Sequence, residues 1–228
     1  MKNARKNQRG IALYVIIVLV LLTMLLALWA SRTAIFNELI VGNDADYQRA
    51  YEAAQAMLED AKTDIMMQTN GASPYPRVDN AKTLFPPDDD AAFDNFIDGT
   101  LESQTTKCLH AICEKITGAQ DFWNDSTIFN NMVATDVGAR YGQYTGATAG
   151  TTGNPILADT SAGRGAWYWI EVMKNNPSGT GGLLTNATSA GAVNAKLIYR
   201  ITAIARGLKP ASQVVLQTTA AFPAIAGE

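Results

Sequence analysis

Histidine occurs once and cysteine twice in 228 residues, which closes most chemistry that needs an imidazole or a thiolate. His110 stands between Leu109 and Ala111, and any Ser-His-Asp or Cys-His arrangement would have to run through it. No G-x-S-x-G nucleophile elbow is present, and the glycine-rich Thr180-Gly181-Gly182 lacks the lysine with which a P-loop holds phosphate. The residues therefore point away from an enzyme. Cys108, Cys113 and His110 supply three metal ligands, whereas structural zinc takes four. The two cysteines leave three states open: a disulfide closing a small loop, free thiols, or a metal site with His110.

Charge is missing from one long stretch. No Asp, Glu, Lys or Arg lies between Arg9 and Arg32, and no proline precedes Pro74. Residues 11–30 are therefore a 20-residue uncharged run. At about 1.5 Å per residue such a helix spans the roughly 30 Å hydrocarbon core of a bilayer. A cleaved secretory signal has a shorter apolar region followed by small residues at its cleavage site, and Leu28-Trp29-Ala30 fits that pattern poorly. The basic head Lys2, Arg5, Lys6 and Arg9 stays on the cytoplasmic side by the positive-inside rule. The expected topology is a single pass with everything after Arg32 across the membrane. Without residues 1–10 the chain has 14 basic against 21 acidic side chains, a net charge of −7. That balance argues against direct nucleic-acid binding, which depends on neutralising phosphate.

The helical pattern continues past the apolar run. Residues 37–68 are rich in Ala, Glu, Gln, Met and Leu, which lose little side-chain freedom in a helix. Leu39, Tyr47, Ala50, Ala54, Met57, Leu58, Ala61 and Ile65 recur mostly at spacings of three and four, marking one face. The expected helix runs from 11 to 68, transmembrane over 11–30 and amphipathic beyond, with the weak helix formers Gly42 and Asn43 as a place to bend. Four of the eight prolines fall between Pro74 and Pro87 and end it. Asp88, Asp89 and Asp90 follow, as either a solvated loop or weak oxygen ligands for calcium, the one cofactor the residues admit. Strand signals occupy 166–173, 195–205 and 211–222. The fold class is α+β: a long N-terminal helix packed on a C-terminal antiparallel sheet. The domains are 1–10, 11–68 and a head at 69–228, with a variable region at 70–165 and the sheet at 166–222. On the first strand Trp167 and Trp169 share one face and Tyr168 takes the other. One face is expected on the helix, with a partner-facing aromatic patch as the alternative.

The stretch RGIALYVIIVLVLLTMLLALWASR resembles the class III signal of type IV prepilins and type II secretion pseudopilins. The resemblance implies cleavage between Gly10 and Ile11 by prepilin peptidase and N-methylation of Ile11. Most relatives carry Glu at the fifth mature position, where this chain has Val15. That Glu is held to neutralise the amine of a neighbouring subunit in an apolar bundle, so its absence implies a place with no subunit above. Residues 33–61, with Glu38, Gly42, Asn43 and an A-x-x-A-A step, resemble the helix of PilX-type minor pilins. The segments WIEV, YRITAIARG and VVLQTT resemble the strands of that family. The resemblance implies a pilin-like lollipop that starts or caps a type IV pilus at the tip, supporting twitching motility, adhesion or DNA uptake. The implied partners are other minor pilins, the major pilin, prepilin peptidase and inner-membrane lipid, with Val15, Glu38, Gly42 and Asn43 on the subunit-packing helix. A calcium-binding tip pseudopilin among the relatives bears on the Asp88–Asp90 run. The alternatives are a type II secretion pseudopilin and a bitopic protein that keeps its leader.

Overall fold

The computed structural model describes residues 8–69, 77, 87, 89–116, 118, 120–150, 153–175, 197–210 and 212–221. The chain divides into two units, Met1–Ala45 and Asp46–Glu228. Helix α1, Gln8–Thr69, contributes to both. It runs unbroken through Gly42 and Asn43, so the expected bend is not seen as a break in the helix.

In the second unit α1 buries Ala50, Ala53, Ala54, Met57, Ala61 and Ile65. Four of these six are alanine, so the backbone lies close over the sheet and the longer Met57 and Ile65 fill what remains. Leu39 and Tyr47, placed by periodicity on the same face, are instead exposed. The covered face begins at Asp46.

The sheet has five strands in the order β1-β2-β3-β4-β5: β1 Cys108–Leu109, β2 Ile112–Glu114, β3 Gly165–Lys174, β4 Leu197–Arg206 and β5 Gln213–Ala220. The last three form the expected antiparallel meander. The variable region supplies the other two, a hairpin whose β2 runs parallel to β3. The short helices α2 Asp90–Phe96, α3 Ser126–Met132 and α4 Pro155–Ala158 complete the head.

Both sheet faces are covered, which explains why β3 is buried from Gly165 through Met173. Ala166, Tyr168, Ile170 and Val172 join the helix-side core. Trp167 and Trp169 join a second core with Phe122, Phe129, Met132 and Ile204. Trp167 meets Phe129 edge-on with centroids 5.6 Å apart, and Trp169 meets Phe122 at 5.1 Å. These tryptophans are 1% exposed, so they are core residues and the partner-facing aromatic patch is not formed. Their cover comes from α3 and the short helical turn Phe122–Asn124, in the segment for which the sequence offered no assignment.

Candidate functional site

Two sites emerge, one on each unit. On the first unit α1 presents its apolar side chains outward: Ile11, Val15 and Trp29 are 67%, 54% and 73% exposed. The span Ile11–Met66 contains a window of mean hydropathy 3.1, none of it buried, long and apolar enough to cross a membrane. Two hydroxyls in this stretch turn back on the helix. Thr23 donates to the Val20 carbonyl at 2.9 Å and Thr33 to the Trp29 carbonyl at 3.0 Å. With those two groups satisfied internally, the uncharged run of residues 11–30 is suited to an apolar surrounding. Val15 adds one more aliphatic side chain to it, and Glu38, Gly42 and Asn43 lie further along the same helix. Gly10 and Ile11 are consecutive helical residues near its start.

On the second unit three acids of α1 fasten three other parts of the head. Asp46, Asp60 and Asp64 are all buried, and their offsets of 14 and 4 are close to whole turns of 3.6 residues, which puts them on one side. Asp46 accepts from the backbone N–H groups of Leu208 at 2.9 Å and Lys209 at 3.1 Å, holding the β4–β5 turn. Gly207 is required there, because a Cβ would overlap the Asp46 carboxylate and Ser212. Burial pushes the Asp46 carboxyl up, but hydrogen bonds from Ser212, Lys209 and Leu208 together hold it below the ordinary value.

Asp60 accepts from the Gly142 N–H at 2.7 Å and from the Thr145 hydroxyl. In its case burial prevails, with the Asp64 charge adding to it, and the carboxyl sits above its ordinary value despite both hydrogen bonds. Asp64 receives Arg77 through two donors, Nε at 2.8 Å and Nη2 at 2.5 Å, and the Tyr168 hydroxyl at 2.9 Å. Arg77 also donates to the His110 carbonyl at 3.0 Å and stacks on Tyr144 at 4.0 Å. Burial opposes the Arg77 charge, and Asp64 outweighs it, so the guanidinium stays above its ordinary value. Burial, then the Asp64 charge, keep Tyr168 a protonated donor. The result is a carboxylate-centred knot joining helix, sheet and the variable segment.

Cys108 and Cys113 form a disulfide across the β1–β2 hairpin. The two turn residues, His110 and Ala111, both have φ in the left-handed region, +50° and +65°, where Asn-Gly is the usual pair. Non-glycine residues there are held by their surroundings. The His110 N–H donates to the Asp136 carbonyl at 2.6 Å, the Ala111 N–H to that of Val137 at 3.0 Å, and Ile170 donates to Ala111 at 2.7 Å. Glu171 of β3, also buried, pairs with Arg200 directly opposite on β4 through two donors at 2.5 and 2.7 Å, and accepts from the Ile116 N–H.

In the acidic run Asp89 caps α2, accepting from the Ala92 N–H at 2.7 Å, and Asp90 lies in its first turn. These are the places where a carboxylate favours a helix start. Asp88 lies outside the described residues, as do residues 1–7 of the expected leader. Among the described residues no group of three or more His, Cys, Asp or Glu is gathered as for a metal ion.

An exposed apolar helix running into a head built on an α+β sheet is the layout expected from the resemblance, and two family models match it. The model for the PilX N-terminal region matches residues 9–59, and that for the C-terminal region of the type IV pilus assembly protein PilX matches residues 54–221. The chain belongs to the PilX family. Together the two matches run from residue 9 to residue 221, past the end of β5, so the segment that carries β1, β2 and α3 falls within the PilX match. No curated protein and no solved structure matches the chain. In PilX terms the three buried acids lie on both sides of the point where the two family regions meet. They fall at the spacings of the apolar face of α1, but a face marked by apolar residues alone does not include them.

Proposed function

We propose that the chain is a minor pilin that initiates or caps the type IV pilus at its tip, and so supports twitching motility, adhesion or DNA uptake. Its work in this reading is structural rather than catalytic. Prepilin peptidase cuts between Gly10 and Ile11 and methylates the new terminus. The helix first rests in inner-membrane lipid with the head in the periplasm, then passes into the fibre beside other minor pilins and the major pilin. Val15 carries the tip assignment. An apolar residue there leaves a neighbour's terminal ammonium without a carboxylate partner, and an unpaired charge in an apolar bundle is strongly unfavourable. The subunit therefore suits a position above which none follows. Asp46, Asp60 and Asp64 then transmit load, holding the head to the helix by which it is carried.

The decisive experiment measures the mass and N-terminal residue of the chain made with and without a prepilin peptidase. The expected product begins at methylated Ile11 only when the peptidase is present. An intact Met1 in peptidase-positive cells would sink the proposal. Val15→Glu tests the tip assignment: fibre number or subunit placement should change while the urea midpoint of the head does not.

A further inference from the structure

Two kinds of arginine occupy the head. Arg77 and Arg200 each meet a buried carboxylate through two donors, that of Asp64 and that of Glu171. Arg140 and Arg206 meet none among the described residues. Arg206 follows Ile204 on the second-core face of β4, and its Cζ lies 4.0 Å from the centre of the Phe129 ring. The Cζ of Arg140 lies 4.1 Å from the centre of the Trp167 ring, which Phe129 meets edge-on. Both arginines donate to oxygens that carry no net charge. Arg206 uses Nη1 on the Gly163 carbonyl at 3.0 Å and Nε on the Gln213 side chain at 3.1 Å. Arg140 uses Nη1 on the carbonyls of Asp159 at 3.0 Å and Arg164 at 2.5 Å, and Nη2 on that of Ser161 at 3.4 Å.

Gly163 and Arg164 are consecutive, so the two guanidiniums reach the same short loop, and Arg164 brings a third. The Asp159 carboxylate, 3.1 Å from Arg164, is the only one among the described residues that pairs with any of the three. Positive charge is thus gathered at one place in a chain whose net charge is −3. A ring against one face and carbonyls along one edge fix the orientation of Arg140 and Arg206 before anything binds. The Nη2 group of Arg206 reaches no acceptor among the described residues, and it is not enclosed. Burial holds both guanidiniums below their ordinary values, opposed only at Arg140, by the Asp159 charge. At Arg200 the Glu171 hydrogen bonds outweigh burial. An arriving carboxylate would give Arg140 and Arg206 what Arg77 and Arg200 already have.

We propose that Arg140, Arg164 and Arg206 receive an acidic segment of a partner protein, one that carries more than one carboxylate and sets them against the open guanidinium edges. A carboxylate is the group this chain itself places against Arg77 and Arg200, and its planar pair of oxygens matches the guanidinium fork. An extended polyanion, such as nucleic acid or an anionic lipid surface, is disfavoured by the negative charge of the chain as a whole. The site lies within the second unit and stands independently of the tip assignment.

The test titrates the full-length chain in uncharged detergent with a blocked peptide of alternating Glu and Ala, and with the same peptide carrying Gln for every Glu. The Nε–H resonances of Arg140 and Arg206 should shift saturably with the first and stay still with the second, and added salt should weaken the binding. Arg140→Gln and Arg206→Gln should each lower the affinity about tenfold or more, the scale of one hydrogen bond between charged groups. The wild-type shifts decide the matter even where a variant loses urea stability. Equal shifts with the Gln peptide, shifts that do not saturate, or wild-type affinity in both variants overturn the proposal. Inorganic phosphate that produces the same shifts at the same concentration reduces the site to one for small anions, and tighter binding to phosphatidylglycerol vesicles than to the peptide makes it a membrane contact. Either result overturns the proposal, as do shifts that grow with the chain's own concentration in the absence of peptide, which assign the site to a second copy.

Discussion

Replacing Asp64 by alanine tests the knot at the centre of the head. The change leaves the Arg77 guanidinium, whose side chain is fully buried, without its carboxylate, and it takes away the acceptor of the Tyr168 hydroxyl. Breaking a buried ion pair by removing one partner costs about 3 to 5 kcal/mol, since the remaining charge stays desolvated. A domain of this size is stable by about 5 to 15 kcal/mol and loses about 2 to 4 °C of Tm per kcal/mol. The expected loss is therefore about 10 °C and about a fifth or more of the stability. Tyr168→Phe alone removes one hydrogen bond while Arg77 keeps its partner, and should cost about 1 kcal/mol. In the Asp64→Ala background the same change should cost nothing, because the hydroxyl it removes is already unpaired. That non-additivity is the signature of a shared network. Urea unfolding followed by tryptophan fluorescence reads all four corners of the cycle, since Trp167 and Trp169 are core residues. Additive costs within about 0.5 kcal/mol, or an Asp64→Ala loss no larger than that of Tyr168→Phe, would refute the reasoning.

Two further outcomes follow from the other clamps. Asp60 has a raised carboxyl pKa and Asp46 a lowered one, so their contributions to stability run in opposite directions with pH. Asp60 favours the fold fully below its unfolded value of 3.8 and loses that contribution as pH rises through its folded pKa. Asp46 favours the fold above 3.8 and loses its contribution as pH falls through its folded pKa. Urea midpoints between about pH 3 and pH 7 should show the wild-type advantage over Asp60→Asn growing on acidification and that over Asp46→Asn shrinking; parallel trends contradict the assignment. Cutting the Cys108–Cys113 link, by Cys113→Ser or by reductant, should cost about 2 kcal/mol for so short a loop. A urea midpoint indifferent to reductant would show that the strand ladder alone holds His110 and Ala111 in their left-handed conformation.

What could be read from the residues depended on how long each pattern ran. Residues 11–68 carry one unbroken statement, first of apolarity and then of a three-four repeat, and α1 follows it to within a residue or so at its C-terminal end. The strands from Gly165, Leu197 and Gln213 are eight to ten residues long, enough for composition to mark them. By contrast β1 and β2 have two and three residues, too few to show a period, and they exist because β3 offers Ile170, Glu171 and Val172 as a template. The left-handed turn at His110 and Ala111 hides for the same reason. Neither residue type signals positive φ, and the carbonyls of Asp136 and Val137 that hold the turn lie more than twenty residues further on.

The buried acids show a different limit. In a helix a charged residue is normally counted as solvent-facing, and Asp46, Asp60 and Asp64 were invisible as core because each is matched by a donor distant in sequence: Leu208, Gly142 and Tyr168. A carboxylate enters a core only when such donors are in place, so Asp46 depends on the β4–β5 turn, Asp60 on the variable segment, and Asp64 on both that segment and β3. The uncharged stretch of α1 leaves its apolar side chains exposed, whereas the part from Asp46 onward is tied to the head by groups that are costly to expose.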